Sequence, residues 1–239
     1  MSTDKPSGSG RSRQRLSRDR IVDAALVSIA QQGVEHTTMR SLGRDLGVEA
    51  MALYRYVSGR EDLLEAVVDS LLDGLIERVE AAETTSWQEY LQHIAHEIRG
   101  IALANPTAFP LVVSRHPAAP WLRPPLRYIS MVEHLLATLS ERGFTDDQAV
   151  DTYKAFTSFL VGSLLLEASM KTDNVAAVEE PMNEGDADIP EQDSAEDADL
   201  HQAPHVLRMR DRLSRDDSEA EFETGLESLL NRIENTVSH

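Results

Sequence analysis

Residues 48–64 read VEAMALYRYVSGREDLL, two tyrosines and two arginines around a short apolar run, directly before a longer apolar-periodic stretch. A run this short cannot bury its own face, so it must be one part of a small multi-helix unit. Upstream, Ile21, Val22, Ala25, Leu26 and Ile29 recur at helical spacing from Arg18 to Gln32, and Gly33 follows where a helix-ending residue is expected. Thr37 or Thr38 can cap a second, short helix through Leu46, with Leu42 and Leu46 on its inner side and Gly47 ending it. A third helix is expected from about Glu49 to Val57. Helix, glycine, short helix, glycine turn, short helix is the order of a helix-turn-helix unit.

Downstream, Ser58 with Glu61 reads as a capping box, which predicts a fourth helix running through Leu63, Val67, Leu71, Leu75 and Val79 as a connector. Ser86 with Glu89 opens a further helix that ends at Asn105-Pro106. A proline-spaced region allows one short helix before Pro124 opens another that ends at Gly143. From Asp146 or Asp147 a helix begins that is apolar on more than one face between Ala155 and Leu166, as a central or interface helix would be. Phe222, Leu226, Leu229, Leu230, Ile233 and Val237 trace a last amphipathic helix. No alternating strand pattern and no repeat is present, so the chain reads as all-α.

Charge divides the molecule. The first 60 residues hold 10 Lys/Arg against 6 Asp/Glu, whereas the whole chain of 239 residues carries a formal net charge of −18. A basic head on an acidic body suggests a head that faces nucleic acid. Residues 1–15, rich in Ser, Gly and Arg, read as a flexible basic arm; residues 16–62 form the helix-turn-helix domain and 63–239 the helical body. Residues 173–200 hold eleven acids and no base and are expected to be an acidic loop. With no cysteine, disulfides and thiolate chemistry are excluded. No stretch reaches the roughly 18 apolar residues of a membrane span, so a soluble, cytoplasmic protein is expected.

In a helix-turn-helix the second of the paired helices presents its N-terminal residues to base edges. Ala50, Met51 and Ala52 stand there. They can read thymine methyl groups and shape but make no bidentate contacts. Arg40 can supply a guanine contact, and Tyr54, Tyr56 and Arg60 suit phosphate oxygens, with Arg60 beside the N–H groups of the fourth helix. His93, His96 and Glu97 share a helix face but lack a third clear ligand, so no metal site is expected. Gly-rich phosphate loops and nucleophile elbows are absent, which gives no reason to expect an enzyme or a cofactor. His93, Trp121, Tyr128, Met131, Tyr153 and Phe156 are candidates for lining a ligand pocket in the body.

Together these residues resemble a family. RDRIVDAALVSIAQQGVEHTTMRSLGRDLGVEAMALYRYVSGREDLLEAVVDSLLD is similar to the N-terminal domain of the TetR family of bacterial transcriptional regulators. SWQEYL, ERGFTDDQAV and FETGLESLL resemble the ligand-binding domain of its tetracycline repressor branch. The resemblance implies a homodimer on a palindromic double-stranded operator, released by a small organic effector. By position it carries DNA contact to Thr38, Arg40, Ala50, Met51, Ala52, Tyr54, Tyr56 and Arg60. Where the tetracycline repressor has Gln-Pro-Thr this chain has Ala50-Met51-Ala52, which implies a different operator. Two of that repressor's ligand-site residues, an Asn and a metal-binding His, align with Ile94 and approximately with Val112, which implies a different effector. The competing expectation is an all-α carrier of apolar ligands, or an interaction protein, that keeps the fold without an operator.

Overall fold

The computed structural model describes residues 15–114, 116–171 and 202–237. The expected basic arm, apart from Arg15, and the expected acidic loop at 173–200 lie outside them. All regular structure among the described residues is helical. None of these helices is long and apolar enough to cross a membrane.

The head is built from α1 (Arg18–His36), α2 (Met39–Leu46), α3 (Ala50–Leu53) and the start of α4 (Arg60–Leu71). Ile21, Val22, Ala25 and Ile29 of α1 close on Leu42, Leu53, Val57, Leu63 and Val67, all buried. Regular winding of α1 stops at Gly33, whose φ of 81° belongs to the left-handed region that glycine tolerates. Thr38 is the cap of α2: its Oγ1 accepts the Ser41 N–H at 3.1 Å, and Ser41 Oγ accepts the Thr38 N–H at 2.9 Å. Two donors that the helix itself cannot satisfy are thereby paired. The third helix is shorter than its sequence suggests, because after Leu53 the chain turns so that Val57 can drop into the core.

Two further expectations are corrected at α4. The Ser58–Glu61 capping box does not form; instead Asp62 Oδ2 accepts the Ser58 N–H at 2.6 Å, and Glu61 turns outward. The connector is also not continuous. It breaks after Leu71, passes through Gly74 at φ 67°, and resumes as α5 (Leu75–Ala81). Arg78 secures the break: its Nη1 donates to the Asp73 carbonyl at 3.0 Å and its Nε to Glu97 of the next helix at 2.6 Å.

The body packs α6 (Trp87–Ala104), α7 (Ile129–Glu141) and α10 (Ser218–Val237) around α8 (Asp146–Lys171). A 3-10 turn at Phe109–Leu111 lies between α6 and α7. Ser86 caps α6 through the Glu89 N–H at 3.1 Å, while the Glu89 carboxylate returns to Thr85 rather than to Ser86. Helix α7 starts at Ile129, not at Pro124; in between, the Arg127 N–H is committed to the Val112 carbonyl at 3.0 Å rather than to a helical partner. Deep in the body Arg99 of α6 grips Glu167 of α8 through two bonds of 3.0 and 2.7 Å, and its guanidinium lies 5.2 Å over the Phe222 ring of α10. A further helix not expected from the sequence, α9 (Pro204–Leu213), mixes arginines with apolar residues and buries none of them.

Candidate DNA interface and effector cavity

Thr38 and Arg40 are exposed at the start of α2, and Arg44 follows one turn later on the same side. On the adjoining α3, Met51 is 75% exposed and Tyr54 46%. An exposed methionine and tyrosine beside arginines is costly in water and makes sense against a surface with both apolar and anionic parts, as a DNA groove has. Ala50, Ala52 and Tyr56 are half-buried.

Gly43, which periodicity did not single out, sets the distance between the paired helices. A Cβ there would stand 2.9 Å from the Val48 carbonyl oxygen and 3.1 Å from the Ala50 nitrogen. Only glycine lets α2 and α3 cross this closely. Arg44 was equally missed, although its spacing of four from Arg40 puts both on one face.

Electrostatics revise the role of the α4 N-terminus. The anion seated there is the protein's own Asp62, which also accepts from Arg18 Nη2 at 2.6 Å. The Arg18 guanidinium, then the Ser58 N–H, hold the Asp62 carboxyl down at about 2. Arg18 further donates to the Tyr56 carbonyl at 2.9 Å, which clamps α1 to the end of the recognition unit. Arg60, expected to stand ready for phosphate, commits one terminal nitrogen to the Val34 carbonyl at 2.9 Å, although the side chain remains exposed.

In the body an apolar cavity of about 50 Å³ lies between α5, α6, α7 and α8. Ile94, Phe109, Val112, Leu135, Phe156 and Val161 form much of its wall, and Leu72 and Leu75 reach it from the two sides of the α4–α5 break. Four of the six sequence candidates meet here: Tyr128, Met131, Tyr153 and Phe156. The other two do not. His93 binds the Arg78 carbonyl at 3.3 Å on the outer side of α6, and Trp121 is 74% exposed. Trp121 sits in a turn whose orientation the pattern of residues could not give, whereas His93 lies on α6 with its ring turned toward Arg78 of α5.

Polar groups on the wall are few. Tyr153 donates to the Pro124 carbonyl at 2.8 Å, and burial pushes its hydroxyl up to about 12. Burial, then the acids Asp69, Glu77 and Asp73, likewise raise Tyr128. Both hydroxyls stay protonated; the Tyr153 proton is already committed to Pro124. Ile94 and Val112 place aliphatic carbon where a metal-assisted pocket would need nitrogen or oxygen. Among the described residues no three His, Asp or Glu side chains converge on a point that could hold a metal ion, and His96 is paired with Glu223 at 2.9 Å.

The model of the tetracyclin repressor-like C-terminal domain matches residues 80–237, and that of the bacterial regulatory proteins of the tetR family matches residues 21–67. The chain belongs to the TetR family. It is 27% identical over 200 residues to the tetracycline repressor protein class D of Escherichia coli, covering 81% of this chain and 88% of that one. An HTH-type transcriptional regulator of Saccharopolyspora erythraea is 26% identical over 190 residues, 78% of this chain and 77% of its own. Among solved structures, a possible TetR family transcriptional regulator from Streptomyces coelicolor A3(2) superposes with a TM-score of 0.69 at 26% identity, covering 92% of this chain and all of that one. This TetR-family protein is thus a DNA-binding transcriptional regulator, and the family is one of regulators rather than enzymes.

Proposed function

We propose that the protein is a cytoplasmic homodimeric repressor that leaves a palindromic operator when a largely apolar organic effector enters the body, with no magnesium ion required. The observation that carries this reading is the cavity wall: it is almost wholly apolar, and it includes Leu72 and Leu75 on either side of the break in the helix that leads to the head. An apolar cavity of roughly 150 Å³ takes up benzene. At about 50 Å³ this one must widen for any larger guest, and the α4–α5 break is where the chain can yield. Movement of α4 then changes the separation of the two recognition helices in the dimer. A usable switch needs the guest to discriminate between the two shapes by about 1 to 3 kcal/mol, a 5- to 150-fold change in operator affinity.

Thr38, Arg40, Met51 and Tyr54 are the proposed principal DNA contacts, with the edges of Ala50, Ala52 and Tyr56 and the exposed part of Arg60 beside them. Tyr128, Met131, Tyr153 and Phe156 are proposed to hold the effector. Dimerisation is assigned to α8 and α10, which lie side by side; Val150, Leu166 and Met170 of α8 are exposed in the single chain.

The test is selection of duplexes by the full-length protein from a random pool, followed by titration of candidate effectors with and without EDTA. Retained sequences should be inverted repeats with half-site centres about one helical turn or a multiple apart. Retention of no sequence sinks the repressor reading. Release that needs tetracycline and magnesium together overturns the account of the pocket.

A further inference from the structure

The cavity wall continues into a side chain that reaches the head. Arg127 lies between Leu126 and Tyr128, both on the wall, and its N–H is bonded to Val112, also on the wall. Its side chain is only 8% exposed. Nε donates to Ser114 Oγ at 2.9 Å and Nη2 to Glu61 Oε2 at 3.2 Å. Nη1 is buried and has no hydrogen-bond partner. Glu61 stands in the first turn of α4, next to the Asp62 that binds α1 through Arg18. A displacement of Glu61 is therefore a displacement of the head.

We propose that the Arg127–Glu61 pair is the positioning contact through which occupancy of the cavity is transmitted to the DNA-binding head. The proposal rests on the repressor reading above. A buried guanidinium must keep a counter-charge, and Glu61 is the carboxylate it holds among the described residues. When a guest spreads residues 112–114 from 126–128, Arg127 moves with the 112–114 segment, to which it is tied at Val112 and at Ser114, and Glu61 must follow or let go. The grip is incomplete, since one terminal nitrogen is engaged and the other is unpartnered. Two other arrangements are thus close at hand: a two-pronged fork on Glu61, and release of this 67%-exposed carboxylate to water. A contact with discrete alternatives converts a small wall shift into a change of state. Helix α4 is then coupled to the cavity at both ends, through the Glu61–Arg127 pair at its start and through Leu72 directly after its last residue.

The experiment replaces an unidentified effector by a side chain. Val161→Phe fills the cavity from α8, and Glu61→Gln removes the charge of an exposed residue without leaving a hole. Operator affinity, on the duplex the wild-type protein selects, and hydrogen exchange of residues 59–63 are measured for the wild type, both single variants and the double variant. Val161→Phe should weaken operator binding tenfold or more in the wild-type background and less than threefold beside Glu61→Gln. Exchange at 59–63 should quicken in the single cavity variant alone. Should Val161→Phe fail to fold, Val113→Leu adds less bulk to the same wall and is expected to act in the same direction. Equal weakening in both backgrounds would place the transmission elsewhere, and no response in either affinity or exchange would show that the head does not sense the cavity; each overturns the proposal. If the wild type selects no duplex, the repressor reading fails by itself, and the exchange measurement still decides the fate of the pair.

Discussion

Gly43→Ala should disable the head, whereas the same substitution at Gly100 should stabilise the protein. At Gly43 the new methyl would lie 2.9 Å from the Val48 carbonyl oxygen, 3.1 Å from the Ala50 nitrogen and 3.2 Å from its Cα, all backbone atoms that cannot rotate away. Relaxed carbon–oxygen contacts need about 3.3 Å or more. The turn must therefore retreat by several tenths of an ångström, straining the Val48 N–H bond to the Gly43 carbonyl, now 2.8 Å. Overpacking of this kind costs about 1 to 3 kcal/mol, and the better helix propensity of alanine returns about 1. A net loss of up to about 2 kcal/mol remains. Because the displaced segment is the start of α3, operator affinity should fall about tenfold as well. At Gly100, inside α6, an added Cβ meets no atom within 4 Å, so only the propensity gain of about 0.5 to 1 kcal/mol is left. Urea denaturation and operator titration of the two variants make the comparison. A Gly43→Ala protein as stable as the wild type and equally tight on DNA would refute the steric argument, as would a shift of the same sign at both positions.

Arg44→Ala should weaken binding evenly across operator variants and reduce the salt slope by about 1, while Met51→Gln should alter base preference; identical profiles for the two would show the roles to be misassigned. Asp62 has its pKa lowered from 3.8 to about 2, so its contribution to stability is complete above pH 4 and is lost as pH falls toward 2. Solvent screening holds that contribution to about 1 kcal/mol; Asp62→Asn should flatten the acid limb of stability against pH, and an unchanged limb would contradict the assignment. Arg99→Ala leaves Glu167 buried without its partner and should cost about 3 to 5 kcal/mol in urea unfolding, most of it recovered by Arg99→Met with Glu167→Leu. A double variant no more stable than Arg99→Ala would rule out desolvation as the source of the loss.

The head was legible in the sequence because its information is local. Apolar spacing in α1, the Thr38 cap and the left-handed Gly47 each act within a few residues, and each appears in the structure where the residues imply it. The connector misled for a definable reason: Leu63, Val67, Leu71, Leu75 and Val79 keep helical spacing across the break because both segments bury them in one continuous core. Spacing reports which residues are inside, and it is silent on whether the backbone between them stays wound. The cavity was legible in part. Met131, Tyr153 and Phe156 lie on helices, where position fixes direction, and Tyr128 lies at the edge of one; Trp121 lies in a proline-rich turn, where position fixes nothing. What only the tertiary structure decided are the pairings between distant residues. Arg18 meets Asp62 across 44 positions, Arg127 meets Glu61 across 66, and Arg99 meets Glu167 across 68. The chain offers 23 Lys/Arg and 41 Asp/Glu, so charge alone leaves each cation many partners. Packing of the apolar faces brings particular helices together first, and the charges that happen to be desolvated by that packing are the ones that must pair.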